Sequence, residues 1–129
     1  MAHGIILDWG GTLNSLRDPV AFLVSLRERH PDSLLILYAG TRLRDIEAEC
    51  PGAVQLFDIY IEKPLLIGET LAGLGRPPLE SASIADDDLF LRTALGRQFR
   101  DIPCQLVEPK DLLRLLDAAQ PGEGNVSER

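Results

Sequence analysis

Short apolar runs alternate with amphipathic stretches along this chain, and most runs stop at a charged or small residue. The first run is residues 4–8, ending at Asp8 ahead of Gly10 and Gly11. Asp18-Pro19 then reads as an N-cap with proline in the first helical position, opening a helix over 20–30 that His30-Pro31 closes. A second strand is expected at 34–38, followed by Ala39-Gly40-Thr41 and a short charged helix over 42–50. The third strand is expected at 54–61, ending in Glu62-Lys63-Pro64, with a helix over 65–74 stopped by Gly75 and Pro77-Pro78. Ser83-Ile84-Ala85 leads into Asp86-Asp87-Asp88 as the end of a fourth strand. A helix over 89–99 and a fifth strand over 103–107 follow. Leu112, Leu115, Leu116 and Ala119 keep the i, i+3, i+4, i+7 spacing of a last helix opened by Pro109. Residues 121–129 lack apolar periodicity and read as a disordered tail.

Strands that alternate with helices build a parallel sheet covered on both faces. The expected fold is therefore a three-layer α/β/α sandwich, Rossmann-like, with about five parallel strands in a single domain over residues 1–120. In such sheets ligands bind beyond the carboxyl ends of the strands. Asp8, Thr41, Lys63 and Asp86 all fall at or just after an apolar run.

Composition narrows the partners. The 129 residues carry 20 acids against 13 bases, a formal net charge of −7. That balance repels polyanions and argues against nucleic acid or an anionic membrane as a general partner. No run approaches the ~20 apolar residues of a membrane span, and no basic-then-apolar leader opens the chain. Two cysteines, Cys50 and Cys104, make no disulfide framework and read as small buried hydrophobes; the expected setting is cytoplasmic.

The candidate chemistry is acidic. Asp8, Asp86, Asp87 and Asp88 would gather at one sheet edge if the first and fourth strands were neighbours. Two carboxylates ~4 Å apart repel by about 4 kcal/mol at an effective dielectric of 20, so such a cluster needs a cation or shifted pKa values. Carboxylate oxygens with water suit Mg²⁺. Gly10 and Gly11 would let a metal or phosphate approach the backbone. Lys63, one of two lysines, stands where it would neutralise a carboxylate and a phosphate together. Taken singly, Asp88 reads as the N-cap of the following helix, Asp87 stands between cap and ligand, and Thr12 and Thr41 read as turn formers.

Three segments in order resemble the haloacid dehalogenase-like (HAD) hydrolase superfamily. Ile5-Ile6-Leu7-Asp8-Trp9-Gly10-Gly11-Thr12-Leu13 looks like its first motif, Tyr60-Ile61-Glu62-Lys63-Pro64 like its third, and Ser83-Ile84-Ala85-Asp86-Asp87-Asp88 like its fourth. The resemblance implies a strand order five-four-one-two-three. It also implies an Mg²⁺-dependent phosphatase in which Asp8 is the nucleophile, forming an aspartyl-phosphate. Asp8, Asp86, Asp87 and the Gly10 backbone would hold Mg²⁺, Lys63 would position Asp8, and Thr41 would bind a phosphate oxygen. Gly11, Thr12, Gly40 and Arg42 would face the substrate.

Two departures matter. The family's general acid/base is an Asp two residues after the nucleophile, and Gly10 stands there; losing such a group typically costs 10²–10⁴-fold. Ala39 follows the second strand where a hydroxyl residue is usual, so the hydroxyl comes only at Thr41. Aryl or acyl phosphates, whose leaving groups need no proton, are then the expected substrates. One helix alone separates the motifs, so the site is uncapped and suited to a large substrate or to cover by a second subunit of a homo-oligomer. The competing expectation is a non-catalytic HAD-like module that binds Mg²⁺, a phosphorylated ligand or a protein. A bacterial receiver domain is disfavoured, because its paired acids lie at strand one and its lysine at strand five.

Overall fold

The computed structural model describes residues 2–117. Five parallel strands form one sheet: β1 (His3–Leu7), β2 (Leu34–Ala39), β3 (Ile59–Glu62), β4 (Ser81–Ala85) and β5 (Cys104–Val107). Their order is β3-β2-β1-β4-β5, as the resemblance implied. In register, Leu7 pairs with Leu37 on one side and Ala85 on the other, so β1 and β4 end level. The helices are α1 (Pro19–Arg29), α2 (Leu43–Glu49), α3 (Ile67–Gly73) and α4 (Leu89–Gln98).

Side chains alternate across a strand, so each central strand feeds two cores. Ile5, Leu7, Leu35 and Leu37 pack with Phe22, Leu23 and Leu26 of α1, Ile46 of α2, and Leu112 and Leu115. Ile6, Ile36, Tyr38 and Ile84 pack with Ile67 and Leu71 of α3 and with Leu95 and Phe99 near the end of α4. The near-continuous apolar runs of β1 and β2 follow from burial on both faces. Each fully buried Leu or Ile contributes roughly 1.5–3 kcal/mol.

Caps set the helix entries. Asp18 Oδ1 accepts from the Ala21 N–H at 3.0 Å, and Asp88 Oδ1 accepts from the Leu91 N–H at 3.2 Å. Both caps match the sequence reading.

Three elements differ from expectation. The run 54–61 divides into a 3₁₀ turn (Val54–Leu56) and a shorter strand, β3. Val54, Leu56 and Phe57 pack beside the α1 core, and pairing with β2 starts only where Asp58 meets Leu35. The expected helix at 65 begins instead at Ile67, because a turn closes after Lys63-Pro64 with the Leu65 N–H on the Glu62 carbonyl. Pro109–Leu116 is a 3₁₀ segment and not an α-helix. Its Leu112 and Leu115 are i, i+3 neighbours, which a three-residue turn eclipses onto one face. Ala119 and the expected tail at 121–129 lie outside the described residues. Cys50 and Cys104 are half-buried rather than buried, and both are free thiols.

Candidate acidic site at the carboxyl edge of the sheet

β1, β3 and β4 each end next to a charged side chain, and the sheet order brings the three ends together. The Lys63 ammonium donates to Asp8 Oδ1 at 3.0 Å and to Asp86 Oδ2 at 2.8 Å, and so bridges them. Carboxylate oxygens of Asp8, Asp86 and Asp87 all lie within 4.8 Å of one another. Asp8 and Asp86 are buried, while Asp87 faces solvent. One lysine charge thus faces three carboxylates.

Each member has its own support. Thr12 is fully buried, and its hydroxyl donates to Asp8 Oδ2 at 3.5 Å. Thr12 therefore acts on Asp8 from beneath, and the expectation that it faces substrate is corrected by its burial. Asp86 Oδ1 accepts from the Asp88 N–H at 2.9 Å. The buried Arg92 guanidinium donates to the Asp86 carbonyl and lies 3.9 Å from Glu108. Lys63 Nζ also stands 5.8 Å from the centre of the Tyr38 ring, within cation–π range. The Lys63-Pro64 peptide is cis.

These surroundings tune the carboxyl group. Burial, then the negative charge of Asp86, pushes Asp8 from 3.8 up to about 6, against the pull of Lys63. For Lys63, burial favours the neutral amine, but the hydrogen bonds to Asp86 and Asp8 outweigh it and raise the pKa. Both directions fit a site where the lysine stays charged and Asp8 ionises near neutrality.

The glycines differ in role. Gly11 adopts φ +73° and lies against Asp87. Its N–H donates to Asn14 Oδ1 at 2.8 Å, so a side chain from the next turn already holds the backbone group expected to face phosphate. A Cβ on Gly10 or Gly40 would meet no atom within 4 Å, which leaves open space at both. Thr41 is half-buried, and its carbonyl accepts from the Tyr60 hydroxyl at 3.0 Å; Arg42 and Arg44 are exposed on the same rim.

Sequence reasoning missed four residues. Tyr38 reaches Leu65 and Lys63 from a different strand, while Asn14 and Arg92 act on Gly11 and on the Asp86 carbonyl from three and six residues away. Trp9 is buried with its indole N–H on Glu49 Oε1 at 3.1 Å, tying the segment after Asp8 to α2. Arg92 gave no legible signal, because an arginine in a helical pattern reads as exposed and its burial is decided by packing.

Three carboxylates this close together could serve as donors to a hard divalent cation. Oxygens on opposite sides of a magnesium ion lie about 4.2 Å apart, so the observed spacing fits one shared ion after small side-chain rotations. Asp8, Asp86 and Asp87 would hold it. The set does not choose among hard cations. A groove of about 370 Å³ lined by Leu71, Leu79 and Phe99 lies elsewhere, between α3 and α4, with no acidic cluster in it.

The fold and this edge define the class: a doubly wound α/β domain with an acid cluster at the carboxyl ends of its strands, and no cap domain among the described residues. No family model and no curated protein sequence matches the chain. It is similar to one solved structure, described as "Structure of MT0777", at 14% identity and a TM-score of 0.42, over 90% of this chain and 94% of that one. Likeness at that level bears on neither activity nor ligand. Among the described residues, no helix is long and apolar enough to cross a membrane.

Proposed function

We propose that this chain is a capless HAD-like phosphohydrolase of the cytoplasm that cleaves phosphate monoesters through Asp8 with Mg²⁺. The observation that carries the reading is the Lys63 bridge between Asp8 and Asp86 beside Asp87. Asp8 is held by Lys63 on one oxygen and Thr12 on the other, which orients the carboxylate. With a pKa of about 6, it is mostly ionised at pH 7 and able to attack phosphorus. The Asp8–phosphorus bond forms as the bond to the ester oxygen breaks, and water then cleaves the aspartyl-phosphate to release phosphate and free Asp8. Mg²⁺ held by Asp8, Asp86 and Asp87 would supply neutralisation of the phosphoryl oxygens. Gly10 offers no proton to the departing oxygen, so esters of acidic alcohols leave fastest.

The test compares wild type with Asp8→Asn on p-nitrophenyl phosphate, acetyl phosphate and a sugar phosphate, with and without Mg²⁺. The expected result is Mg²⁺-dependent turnover of the first two, abolished in Asp8→Asn. A wild type inert across the panel overturns the enzyme reading. The second reading, a non-catalytic binding module, is favoured by Gly10, by Ala39 and by the Gly11 N–H already bonded to Asn14. Saturable phosphate binding without turnover would establish it.

A further inference from the structure

The segment that ends β2 carries Gly40 and Thr41, but Ala39 ahead of them brings no hydroxyl. Tyr60 of β3 supplies one from the neighbouring strand. Its hydroxyl is shared between the Thr41 carbonyl at 3.0 Å and the Ala39 carbonyl at 3.4 Å. Register sets this reach, because Tyr60 pairs with Leu37, two residues before Ala39. The half-buried ring packs against the α1 core, which fixes where the hydroxyl stands. Burial, then the negative charge of Glu62, raises the Tyr60 pKa above its ordinary value, so the hydroxyl keeps the proton it donates.

Peptide geometry then orients the loop. The Ala39 carbonyl also accepts from the Lys63 N–H at 3.1 Å, so it points toward β3. Across a trans peptide the following N–H points the opposite way. The Gly40 N–H is therefore turned toward β1, the strand that leads into Asp8. It has no acceptor among the described residues, and the space beside Gly40 is open. We propose that Tyr60 is a positioning residue: its hydroxyl fixes residues 39–41 so that Gly40 and Thr41 hold a phosphoryl group beside Asp8. The inference rests on the phosphate reading above and adds the group that shapes the phosphate loop where this chain lacks the usual hydroxyl. Tyr60 acts only through the two carbonyls it bonds.

Tyr60→Phe removes the hydroxyl and keeps the ring packed, so the fold is retained. The full chain is titrated calorimetrically with inorganic phosphate in Mg²⁺, and amide resonances are followed by NMR. The expected result is about tenfold weaker phosphate binding in Tyr60→Phe. Phosphate should shift the Gly40 amide in the wild type and much less in the variant. On p-nitrophenyl phosphate, KM should rise about tenfold with kcat within about twofold, because a phosphate grip lost equally before and during reaction appears in KM. Thr70→Ala removes another hydroxyl-to-carbonyl bond, to Leu66 within α3, and should leave every readout unchanged. Affinity and a Gly40 shift unchanged in Tyr60→Phe, or a fall in kcat alone, overturn the inference and leave the phosphate reading standing. An equal loss in Thr70→Ala traces the effect to general stability and also overturns it. A wild type that binds no phosphate overturns the phosphate reading and this inference with it.

Discussion

Gly11 and Asp87 approach so closely that a Cβ on Gly11 would lie 2.2 Å from Asp87 Oδ2. Gly11 also sits at φ +73°, where an L side chain costs roughly 1–2 kcal/mol. The glycine thus allows the third carboxylate to lean over the backbone after Asp8. Gly11→Ala is expected to swing Asp87 out of the cluster, lowering both the unfolding midpoint and the affinity for divalent ions. Combining it with Asp87→Ala should reduce the stability loss to the backbone part alone. Unchanged ion affinity in Gly11→Ala would show that this contact does not place Asp87.

His3 and Asp8 titrate in opposite senses in the metal-free protein. Burial, then the charge of His30, lowers His3 from 6.5 to about 4; burial, then Asp86, raises Asp8 from 3.8 to about 6. Between about pH 4 and 6 the folded chain keeps the Asp8 proton that the unfolded chain loses, so this group makes stability fall as pH rises. Between about 4 and 6.5 the unfolded chain binds a His3 proton that the folded chain refuses, so that group makes stability rise. Each shift is worth about 3 kcal/mol, and the two offset. Relative to wild type, His3→Gln should lose stability as pH rises through this window, and Asp8→Asn should gain it. Urea denaturation in steps from pH 4 to 7 measures both; a His3→Gln curve parallel to wild type would falsify the assignment.

Lys63 is the cation that lets Asp8 and Asp86 be buried together. Their side chains are 7% and 1% exposed, against 16% for Lys63. Removing one partner of such a group costs about 3–5 kcal/mol, because charge is left unpaired. Lys63→Met should therefore unfold far more easily at pH 7, less so at pH 5 where Asp8 carries its proton. Added Mg²⁺ should restore part of the loss. Denaturation with and without the ion checks this; a loss below about 1 kcal/mol at pH 7 would contradict a dominant role for the bridge.

Gly10 faces open space, since a Cβ there would meet nothing within 4 Å. Gly10→Asp should fold normally and place a carboxyl group where the phosphatase reading lacks an acid. Turnover of alkyl phosphates should rise by about 10²–10⁴-fold. Turnover of p-nitrophenyl phosphate, whose leaving group needs no proton, should change little. Equal gains on both would point to an effect other than proton transfer.

Much of this architecture could be read from local signals. The runs around Ile6, Ile36 and Ile84 announced buried parallel strands, Asp18-Pro19 and Asp88 announced helix starts, and the acids at the ends of β1 and β4 announced the site edge. These features depend on residues a few places apart, where backbone preference and side-chain spacing act directly. The true start of β3, the 3₁₀ form of Pro109–Leu116 and the burial of Thr12 were not legible, because packing against distant elements selects among conformations that the local sequence permits equally. The convergence of Asp8, Lys63 and Asp86 is of that kind as well. It requires β4 beside β1 in level register, and it is held by Arg92 beneath Asp86 and Thr12 beneath Asp8. The Lys63 bonds to Asp8 and Asp86 span 55 and 23 residues and exist only once the two cores have closed on the sheet, whereas Thr12 and Arg92 reach back only four and six residues.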